Sequence, residues 1–211
     1  MASLKTITQF KSRLAGGGAR PNLFEVNIND FKFADAWDNE TFQFLCKAAA
    51  LPASTITPVE VPFRGRVLKV AGDRTFDTWA VTVINDEDFK LRTSFEQWMN
   101  GISKLSDASG ATTPNSYMGN AVVNQLGRST TRFGNTNSGE GDASGGCTPL
   151  EPLRSYYFDG IFPTEVSSID LSYESGDAIE EYTVTFQVQY WIAGSDSSSG
   201  APTDQTGTVI V

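Results

Sequence analysis

The chain has 211 residues, 39% hydrophobic and 19% charged, with a net charge of −9 and no histidine. That length supports one domain with a core of its own and no need of disulfide staples. The negative charge excludes tight nucleic-acid binding, which needs Lys and Arg to displace phosphate counterions. The missing histidine excludes Ser-His-Asp and Cys-His nucleophile pairs, and any His-ligated zinc, within this chain.

In chain order, Leu4, Ile7, Phe10 and Leu14 come first, at helix-like spacing. Gly16-Gly17-Gly18 ends the pattern. The segment predicts a short amphipathic helix, either a mobile leader or an arm that docks on a neighbour, since four apolar groups on one face need something to bury against. It lacks the apolar core and cleavage site of a signal peptide. No run approaches the roughly 20 apolar residues that cross a bilayer, so the expectation is a cytoplasmic protein that joins an assembly. The glycines lack the lysine and spacing of a phosphate-binding loop.

Strand-like alternation follows. Phe24, Val26 and Ile28 oppose Glu25, Asn27 and Asn29, and Phe42, Phe44 and Cys46 oppose Gln43, Leu45 and Lys47. Residues 59–63 and 66–70 flank Arg64-Gly65 and read as a hairpin or an extended loop, with Pro58 and Pro62 keeping the first at an edge. Residues 71–77 read as a turn. Asp73, Arg74 and Asp77 either hold it through local ion pairs and Asx hydrogen bonds or make a polar contact between subunits. Residues 79–84 are apolar on both faces and therefore central.

An apolar stripe of Phe89, Leu91, Phe95, Trp98 and Met99 predicts one helix over residues 88–100. Asp86, Glu87 and Asp88 sit at its start, where carboxylates suit the helix dipole, and Asn100-Gly101 closes it. Those three carboxylates point in different directions on a helix and make no metal site. Residues 103–120 and 127–149 read as loops on either side of a strand at 121–126, and residues 194–206 as a linker before an apolar tip, Val209-Ile210-Val211. Residues 156–162 read as a strand, and Ile169, Leu171 and Tyr173 alternate with Asp170 and Ser172. The clearest alternation is the last: Tyr182, Val184, Phe186, Val188 and Tyr190 oppose Glu181, Thr183, Thr185, Gln187 and Gln189.

No catalytic constellation emerges. Glu180 and Glu181 are adjacent on an extended chain and point to opposite faces, so they cannot flank one sugar bond, and Asp170 with Glu174 reads as acidic surface. Trp37 and Tyr117 are two isolated loop aromatics, too few for a sugar platform. Cys46 reads as a reduced core residue and Cys147 lies in a Gly/Ser loop; nothing marks the oxidising compartment that a disulfide between them needs. No cofactor and no metal is expected. The fold class expected is all-β: two packed, mainly antiparallel sheets in a sandwich or small barrel, with the single helix at 88–100 flanking them.

The segments ARPNLFEVNI (from Ala19), FQFLCKAAALP (to Pro52), VAGDRTFDTW (Val70 to Trp79) and YTVTFQVQYW (Tyr182 to Trp191), with Asn85-Asp86-Glu87 ahead of the helix, stand in this order along the chain. In order and spacing they resemble the tail tube proteins of contractile-tailed bacteriophages. The resemblance covers about residues 20–126 and 156–191 and departs at the Gly/Ser-rich insertion of 127–149 and the extension of 192–211. It implies a structural virion protein and no enzyme: a single domain over 1–211 with a mobile arm at 1–18. Six copies would form a ring whose inner strands join into one large β-barrel, and rings would stack into a tube inside a contractile sheath. DNA would pass through the lumen without specific binding, and sheath, baseplate and tail-terminator proteins would be the partners. The polar residues Glu181, Thr183, Thr185, Gln187 and Gln189 would face the lumen; Asp73, Arg74, Asp77, Leu4, Ile7 and Phe10 would contact the next ring. Three alternatives stay open: a tube-initiating baseplate protein, a tube subunit of a phage-derived secretion or bacteriocin-like device, and, from another class, a carbohydrate-binding β-sandwich.

Overall fold

The structure, a computed structural model, describes residues 6–14, 18–34, 36–127, 152–173, 176 and 179–194. In chain order the elements are α1 (Ile7–Arg13), β1 (Phe24–Ile28), α2 (Asn39–Leu45), β2 (Cys46–Ala49), β3 (Ser54–Phe63), β4 (Arg66–Phe76), β5 (Trp79–Ile84), α3 (Lys90–Ile102), α4 (Pro114–Tyr117), β6 (Gly119–Leu126), β7 (Pro152–Val166), β8 (Glu181–Gln187) and β9 (Tyr190–Gly194). Seven strands form one sheet in the order β1-β6-β7-β8-β5-β2, with β9 also on β7, and β3 and β4 form a second. The described residues are mostly β, in two antiparallel sheets, as expected. Helix α1 falls where the N-terminal apolar spacing pointed, and helices α2 and α4 add to the flanking helix foreseen.

Two units can be separated, one drawn from residues 1–25, 123–156 and 193–211, the other from 26–122 and 157–192. In the first, Leu126 N–H donates to the Leu23 carbonyl (2.9 Å) and Gln125 Nε2 donates to the carbonyls of Arg20 and Leu23 (2.7 Å each). Helix α1 starts at a capping box in which the Thr6 hydroxyl accepts from Gln9 N–H and the Gln9 side chain accepts from Thr6 N–H.

The second unit holds a core of large side chains. Trp79, Val81 and Val83 of β5 meet Tyr182, Val184 and Phe186 of β8 on the face that Phe95 and Trp98 of α3 cover, and all of these are buried. Trp79 stacks on Phe158 at 4.8 Å, and Phe31 stacks on Trp37 at 3.9 Å beside Phe42 and Phe95. Such aromatic pairs add about 1 kcal/mol each beyond the area they bury. The Trp98 indole donates to the Tyr117 backbone carbonyl at 2.7 Å. Of the two loop aromatics considered as sugar platforms, Trp37 is half-buried against Phe31, Phe42 and Phe95, and the half-buried Tyr117 ring meets Phe162 edge-on.

Five sequence expectations need correction. Residues 42–46 do not form a strand: 39–45 is helix α2, because Phe42, Leu45 and Cys46 also satisfy helical spacing and Asp38 caps the start, accepting from Glu40 N–H (3.1 Å) and the Thr41 hydroxyl (2.5 Å). Phe42 is buried while Phe44 is 79% exposed. Residues 169–173 are loop, since the β7–β8 ladder stops where Ser167 N–H donates to the Thr183 carbonyl (2.9 Å). Residues 71–76 are not a turn but the end of β4. Asp86, Glu87 and Asp88 do not cap α3. Its N-cap is Phe89 in a left-handed conformation (φ 52°) with no side-chain cap, and Asp88 pairs instead with Lys90 at 2.8 Å. Nor does Asn100-Gly101 end the helix, which runs on to Ile102; a Cβ at Gly101 would lie 2.4 Å from the Phe33 ring, so glycine there admits an aromatic side chain.

Candidate assembly surfaces

One face of the β5–β8 ladder is the buried one; the other is polar. Glu181, Thr183, Thr185 and Gln187 alternate with buried Tyr182, Val184 and Phe186, as the sequence alternation requires. Their register partners on β5 are Ile84, Thr82 and Ala80, for Glu181, Thr183 and Thr185 in turn. The Thr82 and Thr183 hydroxyls are 3.3 Å apart, and the Thr164 hydroxyl donates to the Thr185 carbonyl at 3.0 Å. Lys47, from the edge strand β2, ion-pairs with Glu181 at 2.5 Å. Hydroxyls, amides and a neutralised cation give this face little to hold a phosphate. Gln189 lies elsewhere. The chain leaves β8 after Gln187, Gln189 N–H donates to the Asp159 carbonyl (3.3 Å), and its side chain lies over Gly160, where a Cβ would come within 2.6 Å of it. Tyr190, expected on the apolar face, is exposed.

Strand β2 ends the sheet, so its outer edge meets no strand among the described residues. The opposite end is β1, whose Ile28 N–H is taken by the Asn39 side chain (3.1 Å) of α2. Asn39 and Gln43 both donate to the Asn27 side chain, clasping helix and strand together.

The second sheet is the surface that sequence reading did not find. Arg64 (φ 46°) and Gly65 (φ 79°) make the two-residue turn that hairpins favour. The register then pairs Val59 with Val70, Val61 with Leu68 and Phe63 with Arg66, so five apolar side chains share one face. All five are exposed, Phe63 at 67%. The other face carries the Glu60–Lys69 ion pair (3.5 Å). Extending the register outward from Arg64-Gly65 would have revealed this face in the sequence. A bulge lies opposite Thr57, where a Cβ on Gly72 would stand 2.4 Å from the Thr57 carbonyl oxygen.

Asp73 lies in that bulge beside Gly72, Arg74 stands just beyond it opposite Ile56, and Asp77 follows the strand, its N–H donating to the Ala53 carbonyl at 3.1 Å. All three are exposed, and none ion-pairs with another described residue. Local ion pairs therefore do not hold this segment; backbone pairing does. Ile7 and Phe10 are exposed on α1, Ile7 at 73%. Leu4, Cys147, the insertion at 127–149 apart from residue 127, and the tip at 209–211 lie outside the described residues.

Cys46 is a free, buried thiol, and burial pushes its pKa up to about 12. Burial likewise pushes up the Tyr182 phenol, which the Arg92 guanidinium faces at 5.3 Å. Among the described residues no group of three or more acidic, Cys or His side chains could hold a metal ion, and no helix is long and apolar enough to cross a membrane.

Comparison with known proteins places this arrangement. The tail tube protein gp19 of Enterobacteria phage T4 is 33% identical over 177 residues, 84% of this chain and 93% of that protein. Two solved structures share the fold at low identity. One is the anti-feeding prophage baseplate, 6-fold symmetrised (12% identical, TM-score 0.54, covering 83% of this chain and 95% of that one). The other is the PVC sheath-tube complex of an extracellular contractile injection system in its extended state (13%, TM-score 0.51, 92% and 100%). The family model described as phage tail tube protein matches residues 19–194. The chain therefore belongs to the phage tail tube protein family, with a structural role in a contractile tail.

Proposed function

We propose that six copies of this chain close into a ring and that rings stack into a hollow tube inside a contractile sheath, through which phage DNA reaches the host. The two-sided β5–β8 ladder carries the reading. A conduit needs a wetted wall backed rigidly by core, and Thr183, Thr185 and Gln187 stand directly behind fully buried Val184 and Phe186. With Glu181 and Lys47 neutralising each other, the wall offers DNA neither phosphate-binding cations nor aromatic platforms on which bases could stall. The outer edge of β2 joins the sheet of the next copy, turning an aggregation-prone edge into part of a closed barrel.

Ile7 and Phe10 of α1, with Asp73, Arg74 and Asp77, contact the adjacent ring; Leu4 is assigned to the same contact from sequence alone. Sheath, baseplate and terminator proteins are the partners, and the protein resides in the virion tail after assembly in the host cytoplasm. The chain performs no reaction and needs no cofactor in this role. The six-fold baseplate and the sheath–tube complex with this fold support copy number and partners. The 33% identity to a tail tube protein favours the tube over an initiator.

Light scattering and negative-stain microscopy of the purified protein test the proposal. Rings or tubes are expected; monomer under every salt and concentration condition, even when seeded with a baseplate, contradicts it.

A further inference from the structure

Helix α3 packs Phe95 and Trp98 against Phe186, so it lies on the core side of the β5–β8 ladder, across the sheet from the polar face. Its residues turned away from the core, Lys90, Thr93, Glu96, Gln97 and Asn100, are polar and exposed. Residues 103–111 continue from its C-terminus. Among the described residues 90–127, Leu105 is the one large apolar side chain left exposed, at 96%.

A single leucine on a slack loop would carry no meaning, since isolated apolar side chains are common on protein surfaces. This loop is not slack. Lys104 N–H donates to the Ser109 carbonyl (2.7 Å), and Ala108 N–H donates back to the Lys104 carbonyl (3.0 Å). Leu105 N–H donates to the Asn100 side chain (3.2 Å), and Ala111 N–H to the Gly101 carbonyl (3.1 Å), so both ends are tied to α3. The Asp107 carboxylate accepts from the Ser109 N–H (3.0 Å) and hydroxyl (2.7 Å). Ala108 is held in a left-handed conformation (φ 55°), which persists only where the surroundings over-determine it. At Gly110 a Cβ would stand 1.9 Å from the Ile102 carbonyl oxygen, so the turn closes to a distance that only glycine permits. The result is a fixed turn that holds an aliphatic side chain in water. Beside it in sequence, Lys104 is exposed and ion-pairs with no other described residue.

We propose that residues 103–111 form a rigid knob on which the sheath protein docks, with Leu105 entering an apolar notch and Lys104 meeting a carboxylate on its rim. The inference rests on the tube reading above and names the surface turned to the sheath. With the polar face of β8 lining the channel, the α3 side of the same sheet faces outward, toward the partner that encloses the tube. A knob already fixed in shape loses little conformational entropy on docking. One leucine and one charge make a weak contact, and its repetition on every copy makes the attachment strong by multivalency. Weak repeated sites suit a sheath that holds the tube along its length and lets go of it on shortening. The free Lys104 charge sets the register of the contact more than its strength.

Full-length variants mixed with the sheath protein of the same contractile tail test this. Negative-stain microscopy counts bare and sheathed tubes, and circular dichroism checks folding. Leu105→Asp and Lys104→Glu are each expected to form tubes of wild-type length that stay bare. Gly110→Ala keeps both side chains but forces the turn away from Ile102, and its tubes are expected to stay bare as well. Wild-type sheathing of any of the three overturns the proposal. A folded Leu105→Asp protein that stops at rings also overturns it, because the knob then lies between rings. Wild-type tubes that take up no sheath protein overturn it too. Wild-type protein that forms no tubes contradicts the tube reading itself, and the docking proposal with it.

Discussion

Lys47 and Glu181, 134 residues apart in sequence, meet at 2.5 Å on the polar face of the sheet. The pair ties edge strand β2 to the first residue of β8 across β5. Both side chains are more than a third exposed, so water screens the attraction and its contribution to stability is small. Lys47→Ala is expected to change unfolding free energy by under about 1 kcal/mol in urea titrations. Its larger effect is electrostatic: Glu181 is left unneutralised on the face assigned to the channel.

Substitutions on adjacent residues of β8 separate its two faces. Val184 is fully buried and Thr185 points the other way. Val184→Asp places a carboxylate among Trp79, Val81 and Phe95 and is expected to cost about 4 kcal/mol or more. Thr185→Ser is expected to cost under about 1 kcal/mol. Chemical denaturation of the two variants measures the contrast, and equal tolerance would contradict the face assignment.

Two glycines, one in the core and one in the exposed hairpin, differ in what a side chain there would cost. A Cβ at Gly119 would lie 2.1 Å from the Asp30 carbonyl oxygen and 3.0 Å from the Trp98 ring, inside the core. Gly119→Ala is expected to destabilise the fold by about 3 kcal/mol. Gly72→Ala collides with the Thr57 carbonyl only within the exposed hairpin. It is expected to leave the thermal transition of the core in place, as calorimetry would record.

Cys46 is held protonated in the folded protein. Its pKa rises from 9.0 to about 12, while in the unfolded chain it returns to the ordinary thiol value. The unfolded state therefore loses its proton first, so the contribution of Cys46 to stability is level below about pH 9 and declines as pH rises toward about 12. In a Cys147→Ser background, a thiol reagent at pH 8 is expected to label Cys46 only at the rate of protein opening. Labelling as fast as a free thiol would contradict its burial.

Deleting residues 1–17, or substituting Arg74→Glu, is expected to leave rings and shorten or abolish tubes. Arg74 has no ion-pair partner within the described chain, and α1 exposes Ile7 and Phe10 on a helix of seven residues that is marginal alone in water. Tube-length distributions from negative-stain images give the readout; normal tubes from both variants would remove these residues from the contact.

Where alternation met a real ladder, the sequence was a faithful guide: the 181–187 strand and its buried face follow from period two alone. Alternation failed in two ways. At 42–46 the same apolar residues also fit helical spacing, and the Asp38 cap decided between the two. At 169–173 no strand among the described residues pairs with the segment, and Leu171 and Tyr173 are exposed. The segment at 71–77 hid its strand because Gly72 and Asp73 look like turn chemistry, whereas the glycine marks a bulge. The hairpin's apolar face was legible only as a pairing, since neither strand alone shows that Val59, Val61 and Phe63 face the same way as Val70 and Leu68.

The central claim is that the polar face of β8 forms the wall of the channel. A cryo-electron microscopy reconstruction of the assembled protein tests it most directly. The expected map has six-fold rings with Thr183, Thr185 and Gln187 on the inner wall and the outer edge of β2 hydrogen-bonded to a strand of the neighbouring copy. A map with those side chains on the outer wall, or with the edge of β2 in solvent, would contradict it.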